Sequence, residues 1–353
     1  RNPAELGMLA VPGNELSKDN TNSWSERTGG QFNHHNDFFT GRQGQEFASL
    51  QESYAYTYAL GGMQIINHPG QYWSINNTYS ETQKDGPGWH ATNFKTYPSL
   101  IGLEVYNQGN RRPNDRILWD QILERTMPAR PVFGYSCDDA HNDDQLFRNY
   151  NFMLMEDLTT EELKDAMRKG ETYFCYEPKG SGEGKAPRIS EIEVDEATKT
   201  ITIETDGLVY WIYGTDKTSS AASSTRSSVV GIGKTFHYNG YQGAYVRAFI
   251  TNAYGETCTQ PFGFIDSTLT NVENIHTDGE LKLFVFPNPA TEEISVMMNE
   301  ANTMDVIRVY DIEGKQVLSQ SVDGALTTLP VGHLSSGIYL VTSGSRTGKF
   351  IKD

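Results

Sequence analysis

The chain has 353 residues, long enough for two or three domains that each bury a core. Its 29 Lys and Arg stand against 45 Asp and Glu, a formal charge of −16, so the surface field repels phosphate backbones and nucleic acid is not an expected partner. Hydropathy is low, and no apolar run is long enough to span a bilayer.

The opening RNPAELGMLAVPGNELS has neither an initiator Met nor a signal peptide, which reads as a processed or truncated product. Three cysteines, Cys137, Cys175 and Cys258, are too few and too scattered for a zinc cluster or a disulfide framework.

Up to about residue 180 helical and strand-like segments alternate in the manner of β/α units. EFASLQESYAYTYALGG (46–62) reads as a helix ended by Gly61 and Gly62, and the short strand MQIIN follows at once. A long polar loop, residues 68–99, leads into the strand LIGLEVY; loops of that length beside a strand end often cover a site. NDRILWDQILERTM reads as a helix with Asn114 as N-cap, stopped by Pro128 and Pro131 before the strand VFGYS. TTEELKDAMRKG carries a capping box from Thr159 to Glu162 and a terminating Gly170, and ETYFCYEP reads as a final strand.

KGSGEGKAP (179–187) has the composition of a linker, and the pattern after it is strands without helices. RISEIEVDEATKTITIET reads as a hairpin, GLVYWIYGTD as a strand, and AYVRAFITNAYGETCTQPFGF as a hairpin turning at NAYG. Together they predict a small antiparallel sandwich over 187–266. TDKTSSAASSTRSS between these strands reads as a mobile surface loop. A second linker, STLTNVENIHTDGE, precedes a third module of strands over 280–353.

Three apolar strands of the first region finish in groups able to bind metal: MQIIN in His68, LIGLEVY with Glu104, and VFGYS in Asp138, Asp139 and His141. In parallel β/α barrels such ends meet on one face. GNE adds Glu15, and QFNHHNDFF adds His34 and His35, of which one faces the site, because neighbours on an extended segment point oppositely. Imidazole nitrogen with carboxylate oxygen suits Zn, Mn or Fe. Singly, each piece has a plainer reading: a His before Pro is often a turn residue, and Glu104 alone could be a solvated strand-end charge. His90, His237, His276 and His333 lack supporting neighbours and read as structural or exposed, and Cys137 reads as a buried small side chain.

In order, GNE, HHN, NHP, LEVYN and DDAHN resemble the polymerase-and-histidinol-phosphatase (PHP) family of metal-dependent hydrolases, in particular its exported branch related to carbamate hydrolases. The resemblance covers residues 1–180 and implies a partial, distorted (β/α)7 barrel with two or three divalent metal sites. It implies Glu15, His34, His68, Asp139 and His141 as metal ligands and Asp139, His141 and Glu104 as the catalytic residues, with Glu104 beside the metals. The H-x-N spacing to Asn36 favours His34 over His35, and Asp138 stands where the family has a small residue. The family's H-x-H and D-H motifs would precede GNE; a protein without them is expected to bind metal weakly and to have little activity. The second module is similar to the β-sandwich that follows the barrel in exported members. The last module, with FPNPATEEISV, VYDIEGKQV and SGIYLV, resembles the type IX secretion C-terminal sorting domain (type A) and implies an Ig-like β module, export across the outer membrane, the secretion machinery as partner, and a secreted or cell-surface protein.

The expected function is a secreted hydrolase that uses metal-bound hydroxide on phosphate esters. The alternatives are an amide or carbamate hydrolase of the same fold, and a non-catalytic cell-surface binding protein with a degenerate barrel.

Overall fold

The computed structural model describes residues 3–16, 34–41, 50–180, 184–215, 227–264, 283–286, 290–297, 305–322, 326–344 and 346–352. The linker at 267–280, with His276, and the Ser/Thr-rich loop over 216–226 lie outside the described residues. The chain clusters into two compact units, one of residues 1–11, 23–36 and 65–268 and one of 12–22, 37–64 and 269–353.

That sheet has five strands in sequence order: β1 (Gly13–Leu16), β2 (His35–Phe38), β3 (Met63–Ile66), β4 (Leu100–Asn107) and β5 (Phe133–Cys137). β3 and β4 are buried along their whole length, so their apolar runs are continuous rather than alternating. β4 and β5 pair in parallel, and Gly102 permits it: a Cβ there would meet the Phe133 carbonyl oxygen at 2.2 Å. Helix α1 (Leu50–Ala59) ends at Gly61, whose φ of 69° suits glycine.

Helix α2 (Pro87–Thr96) lies inside the stretch expected to be a loop. Its PGWHATNFKT has weak helix formers, so intrinsic preference gives little signal; packing against β4 and α3 (Asp115–Thr126) holds it. In α3, Asn114 occupies the N-cap position but makes no side-chain cap bond, and the helix is fixed instead by burial of Ile117, Leu118, Trp119, Ile122 and Leu123.

The expected (β/α)7 barrel is not what the chain builds. The first sheet stays open, and β6 (Asn149–Met153) and β7 (Thr172–Tyr176) pair antiparallel, from Asn149 opposite Tyr176 to Met153 opposite Thr172. Helix α4 (Thr160–Lys169), capped by Thr159 Oγ1 and ended by Gly170 at φ 72°, therefore connects antiparallel strands rather than a parallel crossover. A short apolar run reads the same in either direction, which is why the sequence pattern did not separate the two.

β8 (Ile189–Asp195) and β9 (Thr200–Thr205) form a hairpin, followed by β10 (Leu208–Thr215), β11 (Ser227–Ile232), β12 (Thr235–His237), β13 (Tyr245–Thr251), β14 (Glu256–Thr259) and β15 (Phe262–Gly263). The order β11-β10-β13-β14-β7-β6, with β15 on β13, makes a seven-stranded sheet that takes strands from both sides of the Gly-rich 179–187 stretch. The three-stranded sheet β12-β9-β8 packs on it through Ile201, Ile203, Trp211, Phe236, Val246 and Ile250. Arg247 on β13 reaches α3, donating to both oxygens of Asp120 at 2.8 and 2.7 Å, with both residues buried.

The C-terminal strands are β16 (Phe284–Phe286), β17 (Glu293–Met297), β18 (Val306–Tyr310), β19 (Gln316–Ser321), β20 (Leu326–Pro330), β21 (Gly337–Ser343) and β22 (Arg346–Lys352). They form two antiparallel sheets, β16-β17-β20 and β19-β18-β21-β22. Ile294, Val296 and Leu329 from the first meet Ile307, Val309, Val341 and Phe350 from the second in one core. The inward and outward alternation along β21 and β22 is that of a sandwich.

Candidate metal centre

Strands β3, β4 and β5 each leave the sheet through a non-glycine residue with positive φ: His68 at 29°, Gln108 at 45° and Asp139 at 43°. Such backbone persists where neighbours hold it, and it gathers at functional sites. At His68 the holding contact is clear, since its backbone nitrogen donates to Glu104 Oε2 at 2.7 Å. Pro69 then opens a single 3₁₀ turn, Pro69–Gln71.

Two asparagines align β2 with β3. Asn36 N donates to Asn67 Oδ1 at 3.1 Å and Asn67 Nδ2 donates to Asn36 Oδ1 at 3.0 Å. The Asn67 backbone nitrogen also donates to the His34 carbonyl at 2.9 Å. The His34 and His68 rings are thereby brought edge to face with centroids 5.1 Å apart, and Tyr72 stands 6.4 and 6.2 Å from them. On β1, Asn14 N donates to the buried Asp37 Oδ1 at 3.1 Å, which sets the register of the next residue, Glu15. Glu15 lies on β1 in the second unit, whereas His34 and His68 belong to the first. Two imidazoles fit Zn or Fe.

Asp139 and His141 sit beyond Glu104, joined to it by Asn107, whose Nδ2 donates to Glu104 Oε2 at 2.9 Å and to Asp139 Oδ2 at 3.2 Å. Gln108 Nε2 adds a bond to Asp139 Oδ2 at 3.1 Å. His141 is exposed; its Nδ1 lies 2.8 Å from the Asp139 carbonyl oxygen, which assigns the hydrogen to Nδ1 and leaves the Nε2 lone pair for a ligand. Asp138, whose role the motif left open, accepts from the backbone nitrogens of Phe147, Arg148 and Asn149 at 2.7, 3.0 and 2.8 Å and closes the 139–146 loop.

Glu104 is buried, not a solvated strand-end charge, and burial pushes its carboxyl up to about 7. Nearby His68 and bonds from Cys137, the His68 amide and Asn107 oppose that rise. Burial and Glu104 in turn drive the Cys137 thiol upward, so Cys137 serves as a donor to Glu104 rather than as a nucleophile. A second buried acid, Asp115, is pushed up to about 8 by burial, with Glu104 acting in the same direction, while the Gly70 amide bonds it. Glu104 and Asp115 thus hold the His68–Gly70 turn from two sides.

Asn67, Tyr72, Asn107, Gln108 and Asp115 were not singled out from sequence. Amides directly after a strand, as in IIN and VYNQ, were the available signal. His35 is buried, His90 is buried and held down to about 3 by desolvation, and His237 and His333 are exposed.

Residues 284–353 match the family described as the secretion system C-terminal sorting domain. The C-terminal sandwich is a sorting domain. The protein is exported, to the cell surface or the medium, and the sorting domain engages the secretion machinery. Among the described residues no helix is long and apolar enough to cross a membrane. No curated protein matches the chain. Among solved structures, PorZ, a surface component of the type IX secretion system of Porphyromonas gingivalis, has 13% identity, with 52% of this chain and 28% of that one covered and a TM-score of 0.17. Dimeric latent PorU from Porphyromonas gingivalis has 13% identity, 51% and 23% coverage and a TM-score of 0.17. An Escherichia coli alpha-2-macroglobulin structure has 8% identity, 51% and 74% coverage and a TM-score of 0.17. The chain spans less than a third of the first two, and likeness at these scores carries no argument about fold or function.

Proposed function

We infer that the protein is an exported metal-dependent hydrolase whose cation is held by His34 and His68, with Asp139 and His141 as a second donor pair. The observation that carries this reading is the edge-to-face approach of the His34 and His68 rings, 5.1 Å between centroids, with hydrogen bonds running from His68 through Glu104 and Asn107 to Asp139. The motifs HHN, NHP and DDAHN, which resemble those of the PHP hydrolases, name the same residues.

The groups around the acids support it further. Glu104 and Asp139 accept from Asn107, Gln108, Cys137 and a backbone amide, none of which carries a charge, and a cation would displace the proton that burial favours on Glu104. A divalent cation bound there would supply Lewis acidity and acidify a water. Glu104 would hold the His68 turn, Asn36 and Asn67 would hold the two histidine-bearing segments in register, and the Nδ1 bond of His141 would aim Nε2 outward.

A phosphate ester is the favoured substrate. Arg111, exposed and donating to Gln108 Oε1, puts a positive charge next to Gln108 and the Asp139–His141 pair, which favours an anionic substrate over a neutral amide or carbamate.

The test is elemental analysis of the purified full chain with assays on bis(4-nitrophenyl) phosphate and a neutral aryl carbamate. Replacing His34 and His68 together by Ala should remove most of the bound metal and the phosphodiester turnover. Unchanged metal and turnover would sink the reading; turnover of the carbamate alone would move the substrate class to carbonyl compounds.

A further inference from the structure

Asn107 is buried at 3% exposure and presents one carboxamide nitrogen to two carboxylates, Glu104 Oε2 at 2.9 Å and Asp139 Oδ2 at 3.2 Å. The two hydrogens of that nitrogen match the two acceptors. No other side chain of this size does the same: ionised Asp has no hydrogen to give, and Ser has one. A lysine could reach both but would cancel one of the charges. Glu104 Oε2 also accepts from the His68 backbone, so an unbroken line runs from the His68 turn through Glu104 and Asn107 to Asp139, and from the Asp139 carbonyl to His141.

We propose that Asn107 is the positioning residue that couples the His34–His68 cluster to the Asp139–His141 pair, so that the two donor sets hold cations as one linked centre. This rests on the reading of those sets as a cation site and adds to it the residue that sets their spacing. Asn107 acts by fixing how far Asp139 stands from Glu104, and Gln108, bonded to the Asp139 carbonyl and carboxylate at 3.2 and 3.1 Å, steadies the same residue from the next position.

Two measurements on the full chain decide it. In cation-free protein, Glu104→Gln should move the imidazole NMR signals of His141 in the native background and leave them in place when Asn107→Ala is also present. Signals that stay put in the native background, or move equally in both, overturn the coupling. In zinc titrations Asn107→Ala should weaken binding by about 10- to 100-fold, as removal of an outer-shell partner does; native affinity in the variant overturns the proposal. If the native protein takes up no zinc, the cation reading falls, and the imidazole experiment still decides whether Asn107 couples the two sets. Asn107→Ser, which keeps one donor, replaces the alanine variant should that one fail to fold.

Discussion

The backbone nitrogen of His68 and the carboxylate of Glu104 are joined at 2.7 Å, which ties the exit of β3 to the middle of β4. The acceptor belongs to a group whose protonation is shifted. Burial raises Glu104 from an ordinary 4.5 to about 7, so the folded state keeps the proton to higher pH than the unfolded chain does. Stability of cation-free protein should therefore fall as pH rises from about 4.5 to about 7, by an order of about 3 kcal/mol from this group. Asp115, raised to about 8, acts in the same direction. In urea unfolding with chelator present, Glu104→Gln should show a shallower loss between pH 5 and 7.5 than the native chain. An equal slope would mean that Glu104 does not carry the shift.

Asn67→Ala should weaken metal binding without disturbing the rest of the fold. It removes both side-chain halves of the reciprocal bond with Asn36, so His34 and His68 lose their mutual alignment. The expected loss is about 10- to 100-fold in zinc affinity, read by competition with a chelating dye.

Asp138→Ala should loosen the 139–146 loop. Three backbone nitrogens lose a charged acceptor, and the expected destabilisation is about 2 kcal/mol. Amide exchange at Phe147, Arg148 and Asn149 should speed up, while exchange in β13 and β14 stays at the native rate.

Arg247→Met should destabilise the first unit by about 3–5 kcal/mol, because it strands the buried Asp120 carboxylate. Asp120→Asn with Arg247→Met should recover part of that loss. Thermal unfolding of the native chain and the two variants measures it, and equal melting points for the native chain and Arg247→Met would mean that the pair contributes nothing.

The sorting domain was legible because its information is local. Strand alternation and Gly turns recur within 70 residues, and the ordered motifs FPNP, VYDIEGK and SGIYLV fall inside the matched segment. The same holds for α4, whose cap at Thr159 and stop at Gly170 lie within its own dozen residues. Helix α2 was not legible, since PGWHATNFKT is held by neighbours distant in sequence rather than by its own preference.

By itself, then, the sequence determined that the sorting domain is built of strands, where helix α4 begins and ends, and which strand exits carry His, Asp and Glu. Only the tertiary structure decided strand direction, the open first sheet, and the choice of partners: His34 beside His68, with Asp139 reached through Asn107. The physical reason is range. Caps, turns and alternation act over a few residues, whereas strand pairing and ligand spacing depend on hydrogen bonds between segments tens of residues apart, such as Asn36 with Asn67 and Asn107 with Asp139, which leave no periodic trace in the chain.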